Sequence, residues 1–380
     1  MGSRKPQIAM FPSWGMGHFL PFVEFAKRMS IHHGFAVLII TPPAVKADIR
    51  SLASSVPDIR FVDLSAPHLD SLPMTDLPTK FAAMEEYKGP LKDVLGSLKD
   101  EISAFVIDFF CAALIESSAA LHNPTYVLST DSASNLCLKF FYDTLDSQTT
   151  ESLKDMDGPI YPIGPLIRSP DAVHGKSECL NWLDRQPDSS VMYVSFGSMN
   201  WFLSPDQTRE LALGLEASGH RFLWLLKGDN DVSALLPPGF EMRTRDRGIV
   251  WTSWAPQIPI LSHPATAGFV SHCGWNSTLE SVTNGVPIVP WPVRAEQKTN
   301  AFFLVNEIGL GIEPEWGPNW WVGKDEVEKA VKELMEGEKG RKVSMRAAEL
   351  KESARKALAA GGSSMDILAV VTAQWKKKAS

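Results

Sequence analysis

The sequence predicts an α/β protein made of two doubly wound parallel-sheet domains facing a cleft. Three observations predict it. Short, continuous apolar runs alternate with longer stretches of helical periodicity, the pattern of strands buried on both faces by crossover helices. The alternation breaks once, at the Pro- and Gly-rich stretch Tyr161–Lys176, and then resumes. The chain has 380 residues, more than one hydrophobic core ordinarily organises.

The elements follow in order. Gln7–Pro12 reads as a strand, Gly15 and Gly17 as a turn, and Phe19–Ser30 as a helix. Ala36–Thr41 (AVLIIT) is a continuous apolar strand, and Ile59–Leu64 alternates like another. Thr79–Leu98 has helical spacing, interrupted by Gly89-Pro90. Phe105–Asp108 is a strand ending in polar residues, followed by the apolar helix Ala112–Leu121 and the strand Thr125–Leu128. Beyond the Pro/Gly stretch, Val191–Ser195 is a strand. Asp206–Ala217 is a helix entered through Ser204-Pro205, an N-cap and a first helical position. Arg221–Leu226, Gly248–Val250, Ala267–Ser271 and Val286–Pro290 read as strands, with the helix Ser277–Thr283 between the last two. Lys324–Gly337, Lys342–Ala360 and Ser364–Lys377 are helices. The expected organisation is a first domain over 1–160, a linker over 161–176, a second domain over 177–360 and a terminal helix over 361–380.

Composition narrows the function. Hydrophobic residues at 44% with 21% charged are those of a globular enzyme. A formal net charge of -7 offers no footprint for nucleic acid or an anionic membrane. Cys111, Cys137, Cys179 and Cys273 are scattered without a CxxC pair, so reduced thiols and a cytoplasmic location are expected. No apolar run approaches the ~18–20 residues of a membrane span. The opening MGSRKPQIAMFPSWG leads directly into a strand without the apolar core of a secretory leader, and Pro6 stands where a myristoylation start wants Ser or Thr. No His/Asp/Cys ligand cluster is present in the sequence, so no metal is expected.

The richest segment runs unbroken from Trp254 to Gln297: WAPQ, then HPATAGFVSHCGWNSTLES, then GVPIVPWPVRAEQ. His272-Cys273-Gly274-Trp275-Asn276-Ser277 follows a strand and opens a helix. A helix start carries unsatisfied N–H groups and the positive end of the dipole, which suits a phosphate. His272 can donate to a diphosphate oxygen, and Ser277 adds a hydroxyl. Indoles suit an aromatic base, and Glu296 and Gln297 suit a polyol. Each feature alone has an ordinary reading. Trp254 could be core, Asn276-Ser277 a helix cap, Glu280 a solvated helix face, and Glu296-Gln297 a plain helix start. All of them together, in this order, point to a nucleotide sugar.

This run resembles the 44-residue UDP-sugar signature of the plant UDP-dependent glycosyltransferases, and Trp254–Gln297 spans 44 positions. Further landmarks are similar: YPIGPL (Tyr161–Leu166), ECLNWLDRQP (Glu178–Pro187), YVSFGS (Tyr193–Ser198), RFLW (Arg221–Trp224) and LPPGF (Leu236–Phe240). The resemblance implies a GT-B fold of two Rossmann-like domains, with the last helix crossing back to the first. It implies a soluble monomer that moves a sugar from a UDP-sugar, as co-substrate and without a cofactor, to a small acceptor. The residues it implies for the donor are Trp254 on uracil, with Ala255 and Gln257 beside it, and Glu280 on the ribose. Ser198, His272, Asn276 and Ser277 would meet the diphosphate, and Trp275, Glu296 and Gln297 the sugar. A terminal Gln goes with glucose in this family, an amide being able to read adjacent hydroxyls.

Transfer also needs a base for the acceptor hydroxyl, and His suits that work near neutral pH. His18, in PSWGMGHFLP, stands where the family's catalytic His does. A carboxylate usually orients such a base. Counting from the family's DFF landmark puts that role on Glu116, Glu replacing the family Asp, with Asp108 as the strand-end residue before it. Asp131 and Ser132–Ser134 follow the next strand and could line the pocket. Three departures stand out: Met199-Asn200-Trp201 after SFGS, and shortened stretches at Asp143–Ile160 and between Lys227 and Leu235. The acceptor expected is a flat apolar phenolic or terpenoid. Carbon glycosylation, or donor binding with impaired transfer, are the alternatives. A dinucleotide oxidoreductase is disfavoured, since Gly15-x-Gly17 lacks the third Gly of that fingerprint.

Overall fold

The computed structural model describes residues 5–13, 15–41, 50, 52–53, 56–64, 84–119, 121–132, 159–168, 177–197, 203–227 and 232–379. The chain divides into two compact units: Met1–Leu166 with Ala359–Ser380, and Ile167–Leu358. The division falls inside the stretch expected as linker, and the chain returns to the first unit at Ala359.

The first unit is built from β1 (Gln7–Phe11), α1 (Met16–His33), β2 (Ala36–Thr41), β3 (Ile59–Asp63), α2 (Lys88–Ser97), β4 (Ile102–Asp108), a 3-10 helix (Phe109–Ser118) and β5 (Thr125–Leu128). Its sheet is parallel, in the order β3-β2-β1-β4-β5. Alternate residues feed two cores. Ile8, Met10, Val37, Ile39, Ala104 and Val106 face one, while Ala9, Phe11, Leu38, Ile40, Phe105 and Ile107 face the other. Burial on both faces explains why these strands read as continuous apolar runs.

The second unit repeats the plan. It holds α3 (Glu178–Leu183), β6 (Val191–Ser195), α4 (Pro205–Ser218), β7 (Arg221–Leu225), α5 (Phe240–Thr244), β8 (Gly248–Trp251), α6 (Gln257–Ser262), β9 (Thr266–Ser271), α7 (Trp275–Asn284), β10 (Ile288–Pro290), α8 (Gln297–Asn306), α9 (Lys324–Glu336) and α10 (Glu338–Leu358). Its parallel order is β10-β9-β6-β7-β8. Numbered within its own unit, each sheet has strand order 3-2-1-4-5, the Rossmann-like arrangement. In α4 the Ser204 hydroxyl accepts the Gln207 N–H at 3.2 Å and Pro205 opens the helix, as the sequence indicates.

Several boundaries differ from the expectation. The helix expected at Ala112–Leu121 is a 3-10 helix that starts at Phe109, because Asp108 caps it by accepting the Phe110 N–H at 2.9 Å. Gly89-Pro90 lies in the first turn of α2, where a missing N–H costs nothing, so it opens that helix rather than interrupting it. Residues 79–83 of the expected helix fall outside the described residues. The helices α3, α5 and α6 have 5 or 6 residues each, too few to show a period.

The terminal helix α11 (Ser363–Ala379) packs on the first unit. Leu368, Val371 and Trp375 join the core of Ile8, Phe22 and Phe35. The Trp375 indole is 1% exposed and meets the Phe35 and Tyr126 rings edge-on at 5.9 and 5.3 Å. The Ser364 hydroxyl donates to Gly164 O, and Arg28 donates to Ile163 O at 3.1 Å and to Pro165 O. Truncating a fully buried indole typically costs about 3–5 kcal/mol. Trp375→Ala should therefore lower the urea midpoint of the transition that reports on the first unit, and an unchanged midpoint would show that α11 is not part of its core.

Candidate active site

Both units place their polar residues at the same point of the sheet. In the first, β1 and β4 are neighbours whose chains continue to opposite sides, and the residues leaving their C-terminal ends meet there. Gly15, at φ 95, turns the chain from β1 into α1, and its carbonyl accepts the His18 and Phe19 N–H groups at 3.1 and 3.0 Å. His18 thus stands in the first turn of α1. Its Nδ1 lies 3.0 Å from Asp108 Oδ2, at the end of β4. Thr130 Oγ1, just past β5, lies 2.9 Å from the same nitrogen. The Phe110 ring packs edge-on against the imidazole at 4.7 Å. Asp108 is fully buried, and its other oxygen holds the Phe110 N–H.

A carboxylate only accepts, so the proton of a neutral His18 sits on Nδ1 and is donated to Asp108. Nε2 then carries the lone pair. Glu116, expected in this role, does not reach the ring. Its side chain is 86% exposed and lies 3.9 Å from Lys88 Nζ. The 3-10 geometry is the cause. Phe110, Ala113 and Glu116 share one stripe at three residues per turn, and a rise of ~2 Å per residue puts Glu116 about 12 Å along the axis from Phe110. Asp108 takes the position instead.

The second unit builds its site at the ends of β6 and β9. Gly197 follows β6, and His272-Cys273-Gly274 follows β9 and opens α7. The imidazole of His272 lies between the two glycines. A Cβ on Gly197 would come within 2.8 Å of Nε2, and one on Gly274 within 2.4 Å, so only glycine fits on either side. His272 Nδ1 is buried and has no hydrogen-bond partner among the described residues. Burial lowers the pKa of this ring to about 4. Gly274 supplies no capping side chain to α7.

A second cluster lies along the same helix. Gln257 Nε2 donates to Glu280 Oε2 at 2.7 Å and to Ser277 Oγ at 2.8 Å, and its Oε1 accepts from the Tyr193 hydroxyl at 3.4 Å. Glu280 is only 8% exposed. Burial raises its pKa, against the opposing pull of the Gln257 bond and the charge of Arg168. Trp254 is 61% exposed, while Ala255 beside it joins the core. Three ordinary readings thereby fall away: Trp254 is not core, Ser277 is not a cap, and Glu280 is not a solvated face.

At the far end, Gln297 opens α8. Its Oε1 accepts the Val293 and Arg294 N–H groups at 2.9 and 2.8 Å. The amide carbonyl is committed to backbone, and the two N–H donors of Nε2 are the remaining polar atoms of this side chain. Trp275, Asn276 and Glu296 are partly buried, the first two in the opening turn of α7 and Glu296 just before α8. Ser198 and Met199–Trp201 lie outside the described residues, as do Ser134 and most of Asp143–Ile160.

The profile of the family described as "UDP-glucoronosyl and UDP-glucosyl transferase" matches residues 169–354. Hydroquinone glucosyltransferase of Rauvolfia serpentina is 33% identical over 467 residues, covering 99% of each chain. The chain belongs to the plant UDP-glycosyltransferases.

Anthocyanidin 5,3-O-glucosyltransferase of a Rosa hybrid cultivar is 31% identical, over 98% of this chain and 99% of its own. Among solved structures, UGT2 of Phytolacca americana, complexed with UDP-2fluoro-glucose and pterostilbene, superposes with a TM-score of 0.86 at 32% identity, covering 98% of this chain and 100% of its own. The architecture of this UDP-glycosyltransferase is GT-B, with two parallel-sheet α/β domains. The Rauvolfia alignment runs over 467 residues and this chain has 380, so the glycosyltransferase is shorter by internal gaps rather than by a missing domain. Among the described residues no helix is long and apolar enough to cross a membrane.

Asp108 as the His18 partner, Thr130, and the glycine pair around His272 went unassigned in the sequence. Asp108 carried a signal nonetheless, a lone acid closing the apolar strand ISAFVID. The His272 pKa carries a consequence for stability. A pKa near 4 in the fold lies below the ~6.5 of an unfolded His, so on acidification the unfolded chain takes up this proton first. Stability present at neutral pH is therefore lost as pH falls from about 6.5 to about 4, by about 3 kcal/mol in all. Urea unfolding followed across that range should show His272→Gln losing less than wild type by about that margin. Equal losses in the two proteins would show that the ring is not held neutral by the fold.

Proposed function

We propose that this UDP-glycosyltransferase moves glucose from UDP-glucose to a hydroxyl of a small phenolic acceptor, with inversion at the anomeric carbon and His18 as general base. The observation that carries the reading is the His18–Asp108 pair. A ring whose Nδ1–H is held by a buried carboxylate has its Nε2 lone pair fixed in direction, and the carboxylate favours the imidazolium that forms. The acceptor oxygen attacks the anomeric carbon as Nε2 takes its proton. The bond from that carbon to the diphosphate oxygen breaks, and UDP leaves with the electron pair. Charge growing on the diphosphate would be met by the start of α7, the His272 ring and the Ser277 hydroxyl. Trp254 offers an exposed face for the uracil, and Glu280, held by Gln257, accepts from the ribose hydroxyls. Trp275, Glu296 and the Nε2 of Gln297 suit the sugar, and Ser198 and Asn276 the diphosphate.

The phenolic acceptor is supported by the relatives, whose names include a hydroquinone and an anthocyanidin glucosyltransferase. The test is UDP release, with product masses, from UDP-glucose and UDP-galactose over a panel of phenols and flavonoids. A glucoside of a phenol is the expected product, and no transfer across the panel from either donor would refute the proposal.

General-base loss typically costs 10²–10⁴ in rate, so His18→Ala should lose at least about a hundredfold in kcat/KM. Asp108→Asn leaves the ring without its anionic partner and should fall by a similar order. Glu116→Gln alters an exposed side chain and should stay within about twofold of wild type. A large loss in Glu116→Gln with little in Asp108→Asn would return the orienting role to Glu116.

A further inference from the structure

We infer that Asn300 is a positioning residue for the diphosphate end of the donor site. The inference rests on the donor reading above. The turn that carries His272 contains Cys273 at φ 61, a left-handed conformation that a residue with a side chain rarely adopts. Such a turn persists only where its surroundings hold it. Asn300 Nδ2 donates to Cys273 O at 2.9 Å, across 27 residues of sequence and wholly buried. Ser271 holds the other side, its Oγ accepting the Cys273 N–H at 3.2 Å. Asn300 is itself fixed in the first turn of α8, where its own N–H donates to Glu296 O at 3.0 Å.

Two consequences follow from this bond. The His272 ring has no slack between Gly197 and Gly274, so a small shift at Cys273 moves the ring against backbone or away from its place. The first turn of α8 also holds the loop before it through Gln297 Oε1. One helix start therefore braces both the loop at the sugar end and the turn at the diphosphate end. Removing the Asn300 amide leaves a buried carbonyl unpaired at the strained residue. The turn is then expected to relax and carry the ring and the start of α7 with it. The uridine end, built by Trp254, Gln257 and Glu280, is anchored further along α7 and also in α6 and β6, where Gln257 holds Glu280 and accepts from Tyr193.

Calorimetric titration of the full chain with UDP and with uridine separates these ends. In Asn300→Ala the UDP Kd should rise about tenfold, in line with one unpaired buried group, while the uridine Kd stays near wild type. Asn300→Ser, which leaves a smaller void and a hydroxyl too short for the bond, should give the same selective loss should the alanine variant fail to fold. Equal weakening of UDP and uridine, or no change in either, would overturn the inference while leaving the donor reading intact. A wild-type chain that binds no UDP would overturn both.

Discussion

The constraint on which the rest of this molecule depends is the reversal of strand order in each parallel sheet. β1 and β4 in one unit, and β6 and β9 in the other, lie side by side while their following segments depart in opposite directions. A crevice must open above such a pair. Parallel strands also end together, so the residues just after them are delivered to the same place whatever their distance in sequence. His18, Asp108 and Thr130 are brought together in this way across more than a hundred residues. Gly197, His272 and the start of α7 are assembled by the same rule. The sheets are buried on both faces, so their strands cannot shift register without moving a whole set of side chains from one core to the other. The fold thereby brings His18, Asp108 and Thr130 within hydrogen-bond distance of one another.

Rigid placement matters because the site groups sit in surroundings that resist charge or strain the backbone. Burial opposes protonation of His272 and ionisation of Glu280, and Cys273 is held in a left-handed turn. Burial of Glu280 and the strain at Cys273 cost stability, burial of His272 does so as the pH falls below about 6.5, and all are tolerated only where neighbours over-determine the geometry. The two glycines flanking His272 show the same pressure from the other direction. Any side chain at either position would displace the ring.

Much of this was legible in the sequence, and the limits of legibility have physical causes. Apolar runs such as AVLIIT and VMYVS gave their strands to the residue, because burial on both faces leaves no polar position to blur the ends. The family was legible because the residues that carry the resemblance, Trp254–Gln297, lie within one continuous stretch. The partner of His18 was misplaced. Asp108 closes the apolar strand and Glu116 follows it by eight residues, and position along the chain does not tell which acid meets the imidazole. The outcome turned on Asp108 capping a 3-10 helix, a local choice with no periodic signature. Thr130 and Asn300 escaped notice for a related reason. Each acts through a single long-range bond, which composition and spacing do not record.

Gln297 shows how a backbone bond can decide what a side chain reads. An amide offers a carbonyl acceptor and two N–H donors, and a free glutamine could present either to a sugar. Here two backbone N–H groups claim the carbonyl, and since N–H groups only donate, the orientation of the amide is settled by chemistry rather than by preference. What Gln297 turns outward is donor-only. Glu296 beside it, when ionised, is acceptor-only. Under the proposed reading, neighbouring sugar hydroxyls would meet one group of each kind, and every hydroxyl can serve as donor or acceptor. Discrimination between sugars differing at one carbon then falls on where the hydroxyl points, not on what it is. A residue replacing Gln297 would change two things at once, the donor it offers and the loop its carbonyl holds. Under the proposed reading, sugar preference at this position would be a property of the loop and the amide together.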